Sequence, residues 1–142
     1  MGFFNKLFDS KNQELYYEQL GVFKKIRKNG SLVIWEGTAQ FLNEAVSIFL
    51  NGTETDIDES QKKELLNILK YSSIYSEKCN EILKVEFESA DKSYSTWAGH
   101  FDCIAISILN NEPSISFEEK ETQYHFNVIF EGDIAVGVAI DS

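Results

Sequence analysis

Residues 103–140, which read CIAISILNNEPSISFEEKETQYHFNVIFEGDIAVGVAI, decide the fold. Four runs in this stretch alternate apolar with small or polar side chains, a period of two that is typical of strands with one buried face. Turn-forming residues separate the runs at 110–113, 120–122 and 131–133. The pattern predicts a four-strand antiparallel meander with these apolar positions: Ile104, Ile106, Ile108; Ile115, Phe117; Tyr124, Phe126, Val128, Phe130; Ile134, Val136, Val138 and Ile140.

A second group of strands is predicted between residues 19 and 50. Asn29-Gly30 is a strong hairpin signal because both central positions of a type I′ turn need positive φ. It joins strands at 19–26 and 31–36, and further strands follow at 39–42 and 45–50. Gly37 lies between two of these runs and predicts a bulge or bend.

Residues 58–89 carry apolar side chains at steps of three and four, which predicts one or two helices. Asp58 is a good N-cap and Gln61 completes a capping-box pattern, while Ser72-Ser73 is the expected break. The order of strands, helices and strands predicts an α+β fold: a largely antiparallel sheet with one or two helices packed on one face. Residues 15–142 form a single domain, preceded by a short apolar leader, loosely attached, at residues 1–14.

Composition restricts the class of protein. The chain has 142 residues, two cysteines and a net charge of −10. Residues 1–35 hold six basic and three acidic side chains, whereas residues 36–142 hold seven basic and twenty acidic side chains. The electrostatic field of this net negative charge repels nucleic acid and anionic membranes and attracts cationic partners, although a requirement for solubility alone also explains the charge. With no signal peptide and no apolar run of about 18 residues, we expect a bacterial-type cytoplasmic protein.

No motif for catalysis, metal binding or a cofactor is recognisable, so we expect none of these. His100, Cys103 and His125 are the residues best able to form a nucleophilic or ligand-binding site. The simpler interpretation is that Cys79 and Cys103 are buried free thiols. A pocket using His100 or His125 remains an alternative.

Acidic side chains are the other candidates for function. Glu118, Glu119 and Glu121 surround a predicted turn and could dock a basic partner, or could simply be solvated. Asp56 and Glu59 flank the helix start, where helix capping and charge–dipole interactions account for most of the pattern. We include both among the partner-binding candidates. Trp97 is a candidate aromatic anchor, although a core position is equally expected.

Several short motifs together resemble a known class of proteins. They are Trp35-Glu36-Gly37, Ile48-Phe49-Leu50, Glu59-Ser60-Gln61, Ile104-Ala105-Ile106, Ile115-Ser116-Phe117, His125-Phe126-Asn127-Val128 and the Gly132 hairpin. Across residues 19–142 the chain is similar to small acidic bacterial domains of unknown function that are proposed as immunity proteins of toxin systems. The resemblance implies a non-enzymatic domain and carries over no catalytic residue.

Three hypotheses follow. The first is a protein-binding domain of the immunity type that neutralises a cognate, basic toxin. The second is a small ligand-binding domain or enzyme that uses His125 or His100. The third is a homo-oligomeric scaffold, because the last strand carries a face of small residues, Ala135, Gly137 and Ala139, that invites homodimer formation through an edge strand.

Overall fold

The computed structural model describes residues 13–142, so residues 1–12 of the predicted leader lie outside the described part of the chain. Eight strands form one sheet in chain order. The strands are β1 (Glu14–Tyr17), β2 (Gly21–Asn29), β3 (Leu32–Phe41), β4 (Glu44–Gly52), β5 (Phe101–Ser107), β6 (Ser114–Glu119), β7 (His125–Glu131) and β8 (Ile134–Asp141). Between β4 and β5 lie α1 (Glu59–Lys70), α2 (Ser72–Ser89) and the single turn α3 (Trp97–His100).

The sheet consists of two antiparallel meanders joined at one parallel seam. β1–β4 form the first meander and β5–β8 the second, and β4 and β5 run parallel between them. A parallel pair requires a long crossover, which the three helices supply. The predicted α+β class is confirmed.

The helices pack on one face of the sheet, and the core lies between the two layers. α1 packs against β4 through Leu65 and Ile68, while α2 packs against β7 and β8. The buried residues of α2, Tyr75, Cys79, Leu83 and Phe87, recur every four residues and form one stripe. Aromatic rings fill much of the space beneath α2: Tyr75 meets Phe130 at 5.1 Å between centroids, and Phe87 meets Phe101 at 5.4 Å.

The predicted meander is present, but part of its predicted core is wrong. A register shift between Cys103 and Ala105 turns Cys103 and Ile106 inward, so Ile104 does not belong to the core. A bulge permits such a change because it adds one residue to one strand and reverses the alternation. Ile134, Val136 and Ile140 of β8 are also exposed, because β8 is an edge strand with a bulge at Val136. The bulge also divides the predicted face of small residues, since Ala135 packs on the core while Gly137 and Ala139 lie on the opposite face.

The N-terminal meander differs from its prediction in two places. β1 is an additional short strand, paired with β2 from Glu14 to Tyr17. Gly37 causes no bulge: β3 pairs with β4 without interruption from Val33 to Phe41. Its role is close packing, because a Cβ at position 37 would lie 2.7 Å from Cε2 of Phe23.

The first helix begins as the sequence predicts, with one change. The Asp58 carboxylate accepts the Gln61 N–H at 3.0 Å. The Gln61 side chain does not complete a capping box, because it binds the end of β4 instead. Its Oε1 accepts the Asn51 N–H at 2.7 Å, and its Nε2 donates to the Oδ1 atoms of Asn51 and Asn111, both at 3.1 Å. The helices separate at Tyr71, one residue before the predicted break.

Replacing Gly37 by alanine should destabilise the protein by about 1–3 kcal/mol, because the added methyl group must displace the buried ring of Phe23. Gly137→Ala is the matched control, since no atom lies within 4 Å of a Cβ there. Urea unfolding measures both variants. In a Phe23→Leu background the effect of Gly37→Ala should shrink, and full additivity of the two changes would contradict this packing.

Gln61→Leu should cost roughly 2–4 kcal/mol, because it leaves the buried Asn51 N–H without an acceptor, removes the donor to Asn111 Oδ1 and leaves Asn51 Oδ1 with the Asn110 N–H alone. Lys63→Leu on the exposed side of α1 is the control and should change the free energy of unfolding by about 0.5 kcal/mol or less. Equal midpoints for the two variants in urea would show that the amide network is dispensable.

Candidate binding surface

The sheet face opposite the helices is uncovered by any other element within residues 13–142. We call it the open face. Its side chains are partly buried or exposed, in contrast to the mostly buried positions that alternate with them on β3 to β7. The open face is formed by Ile34, Glu36, Thr38, Ala45, Ser47, Phe49, Asp102, Ala105, Ser107, Ser114, Ser116, Glu118, His125, Asn127, Ile129, Gly137, Ala139 and Asp141.

The middle of the open face carries small side chains that are aligned across it. Register pairing places Ser47, Ala105, Ser116, Asn127 and Ala139 side by side on five neighbouring strands. Ser116 donates its hydroxyl to Asn127 Oδ1 at 2.6 Å, which holds the amide flat on the sheet. An uncovered surface lined by small side chains suits a macromolecular partner better than an enclosed small molecule.

One end of the open face carries acidic side chains in register. Asp102 on β5 is opposite Glu118 on β6, Glu118 is opposite His125 on β7, and His125 is opposite Asp141 on β8. We call these four residues the acidic row. His125 Nε2 lies 3.2 Å from Glu118 Oε2, and Asn127 Nδ2 donates to Asp141 Oδ2 at 2.8 Å. The Glu118 and Asp141 carboxylates are therefore oriented by their neighbours while remaining accessible to solvent.

The chemistry available to the acidic row is the pairing of carboxylates with cations. Side chains directly opposite each other on an antiparallel pair lie about 5 Å apart, so the row presents closely spaced negative charge. Lys or Arg side chains of a partner could bind there with charge-assisted hydrogen bonds. Among residues 13–142, no group of three His, Cys, Asp or Glu side chains is arranged to hold a metal ion.

The three glutamates predicted around the β6–β7 turn lie in different places. Glu118 belongs to the acidic row. Glu119 points into the helical layer and is buried, where it pairs with Lys92 at 3.6 Å and accepts the Thr122 hydroxyl at 2.6 Å. Glu121 is exposed in the turn. The turn therefore divides the predicted cluster between the two faces.

Asp56 and Glu59 lie on the helical side, near β1, and are engaged within the chain. The Tyr17 hydroxyl donates to Asp56, and this hydrogen bond lowers the pKa of the carboxyl group. Lys62 lies 3.6 Å from Asp56 and 3.0 Å from Glu59, with its ammonium group over the Tyr17 ring. These contacts fasten β1 to the start of α1.

Trp97 and His100 flank the short α3 turn on the helical side. The Trp97 ring packs 5.4 Å from the Phe117 ring, and its Nε1 donates to Ser76 Oγ at 3.0 Å. His100 stacks on Tyr94 at 5.1 Å and accepts the Ser95 N–H at 3.1 Å. His125 lies on the open face, so the structure does not bring the two histidines together.

Both cysteines are free and buried in the core. Burial raises the pKa of the Cys103 thiol to about 12 and that of Cys79 well above its ordinary value. The thiolate is the reactive form of cysteine. At neutral pH both side chains therefore remain protonated and act as small apolar groups.

Asp102 and Asp141 are members of the acidic row that sequence reasoning missed. The row depends on which residues are opposite each other across four strands, and alternation along one strand does not contain that information. The sequence signal that could have identified these two residues is a polar or charged residue near one end of each of the four predicted strands.

A scan against protein-family models, a search of curated proteins and a search of solved structures each returned no match for this chain. Within residues 13–142, no helix is both long and apolar enough to cross a membrane.

The native protein should react with a thiol reagent such as dithionitrobenzoate far more slowly than the unfolded chain, because both thiols are buried and protonated. Absorbance in buffer and in denaturant measures this difference. Ser73→Cys, at an exposed position of α2, supplies a thiol that should react at once. Immediate modification of Cys103 in the folded wild type would contradict the assignment.

Proposed function

We propose that this protein is a non-enzymatic, cytoplasmic protein-binding domain of the immunity type, which neutralises a cognate toxin by binding a basic surface of that toxin on the open face. The observation that carries the proposal is the acidic row at the end of an uncovered sheet face. The resemblance of residues 19–142 to proposed immunity proteins gives the class of partner.

Electrostatics supports a basic partner. The net charge of −10 attracts cationic proteins over a distance of about one Debye length and raises the rate of encounter. The acidic row gives this general attraction a location, because Asp102, Glu118 and Asp141 lie in one register row on β5, β6 and β8. Charge pairs of this type contribute mainly to association rate and orientation.

The apolar residues of the open face supply the other part of a binding surface. Phe49 and Ile129 lie in one register row, with Ser107 and Ser114 between them and Gly137 beyond Ile129. The row of small residues separates them from the acidic row, and burying these two side chains beneath a partner would add hydrophobic stabilisation at the other end of the face. An apolar patch with polar residues at its rim is the usual arrangement of a protein–protein interface.

The direct test is co-expression with the product of the neighbouring toxin-domain gene. The proposal expects growth to be restored and the two proteins to purify as a complex. Toxicity that is undiminished by co-expression, or the lack of a toxin-domain gene beside this one, would contradict the immunity assignment.

The location of the site is tested by a triple variant, Asp102→Asn, Glu118→Gln and Asp141→Asn, which should weaken toxin binding about tenfold or more and reduce its dependence on salt. The matched control removes the same charge elsewhere, through Glu88→Gln, Asp91→Asn and Glu112→Gln, all at exposed positions off the open face. Calorimetry at two salt concentrations measures both. Equal weakening by the two triple variants would show that only net charge matters.

A further inference from the structure

A cavity of about 410 Å³ lies where the junction of α1 and α2 meets the β7–β8 hairpin, and we call it the junction cavity. Its volume is within the roughly 300–1,000 Å³ of small-molecule sites. The side chains that line it include Glu64, Asn67, Tyr71, Ile74, Tyr75 and Asp133. We propose that the junction cavity binds a small organic ammonium ion, whose charged group pairs with Glu64 and Asp133 while its apolar body packs on Ile74 and the tyrosine rings.

The walls of the junction cavity contain large apolar side chains that are open to solvent. Tyr71 is 42% exposed and Ile74 is 45% exposed. Covering these side chains with the apolar part of a ligand removes hydrocarbon surface from water, which is favourable. Apolar walls with a few polar groups are the usual composition of a small-molecule site.

The charge of the junction cavity favours a cation. Glu64 belongs to α1 and Asp133 to the β7–β8 hairpin, and the lining contains no Lys, Arg or His side chain. Within residues 13–142 neither carboxylate takes part in an ion pair. Their negative charge is therefore available to a ligand, and it attracts cations and repels anions.

Tyr75 is the buried member of the lining, with 2% of its surface exposed, and it is held from two sides. Its ring packs on Phe130 at 5.1 Å between centroids, and its hydroxyl accepts an N–H of Asn67 at 3.2 Å. Burial raises the pKa of Tyr75, and the charges of Glu64 and Asp133 raise it further, so the hydroxyl lies near both carboxylates. In the described part of the chain this O–H donates to no acceptor, which leaves it able to bind a ligand.

The surroundings of the two carboxylates indicate an organic cation with a single charge. A calcium or magnesium ion needs about six oxygen ligands, more than two carboxylates supply. Aromatic faces, in contrast, attract organic ammonium groups. Lys70 Nζ already lies 5.3 Å from the centroid of the Tyr71 ring, outside the lining. Because its charge offsets one of the two carboxylates, a singly charged amine balances the remaining one.

Phenethylammonium chloride is a suitable probe, because this ion carries one ammonium group on an apolar body. Two-dimensional NMR of the isotope-labelled full chain should show saturable binding with a dissociation constant of roughly 1 mM, and the shifted amides should be those of residues 71–75 and 132–133. Methylammonium lacks the apolar body and phenethyl alcohol lacks the charge, so each should bind about tenfold more weakly or worse. Equal affinity for methylammonium, or shifts centred on the acidic row, would overturn the proposal.

The double variant Glu64→Gln and Asp133→Asn should weaken phenethylammonium binding about tenfold or more, because it removes both charge-assisted hydrogen bonds. The matched control, Glu81→Gln with Asp91→Asn, removes the same charge at exposed positions outside the cavity and should bind like the wild type. Circular dichroism checks that both variants are folded. Equal weakening in the two double variants would show that the ion responds only to net charge and would contradict a built site.

Ile74→Ala tests the apolar wall and should weaken binding of the same probe about threefold, since part of the covered hydrocarbon is lost. Val85→Ala, at an exposed position of the same helix, is its control and should leave the affinity unchanged. No effect of Ile74→Ala would show that the wall does not contact the ligand. None of the residues that line the junction cavity belongs to the open face, so the result does not depend on toxin binding by the acidic row.

Discussion

The buried amide pair of Asn51 and Gln61 is the interaction on which the arrangement of the two layers depends. Gln61 binds the backbone and side chain of Asn51 and also reaches Asn111, while Asn51 Oδ1 accepts the Asn110 N–H at 2.6 Å. Three separate parts of the chain therefore meet at one point: the end of β4, the start of α1 and the turn before β6. Because a buried amide without partners is costly, this arrangement is strongly specified.

The amide pair also sets the direction of the crossover. The Asp58 N–H donates to the Asn51 carbonyl at 2.9 Å, so α1 begins immediately beside the strand that it leaves. The helices then pack along the sheet and return the chain to β5, parallel to β4. All helical packing consequently falls on one face, and the opposite face is left for contact with other molecules.

Local sequence patterns predict elements here much better than they predict relations between elements. Asp58 carries its own geometric requirement and was identified correctly, whereas the hairpin predicted at Asn29-Gly30 turns one residue later, at Gly30 and Ser31, because Asn29 pairs with Leu32 at the end of β2. Gly37 was misread because a strand glycine can indicate either a bulge or close packing, and only the position of Phe23 distinguishes the two. Ile104 and Val136 were misplaced because bulges and sheet edges change burial without changing the alternation of residues.

The candidate site illustrates the same limit. Glu118 and His125 were recognised as candidate residues, yet their association with Asp102 and Asp141 follows from register across four strands. Register is set by turns and bulges that act over many residues. Asp56 and Glu59 were predicted as partner-binding residues. In the structure their carboxylates instead contact Tyr17 and Lys62 of the same chain.

The parallel seam has a mechanical consequence for the open face. β4 and β5 match at only three positions, Ser47 to Phe49 against Ala105 to Ser107, whereas β3 and β4 match at nine. The two meanders are therefore joined along a short strip, and the hydrogen bond from the Asn110 N–H to Asn51 Oδ1 also ties them together. Any change in the curvature of the open face has to be concentrated at this seam, because each meander is held by longer antiparallel ladders.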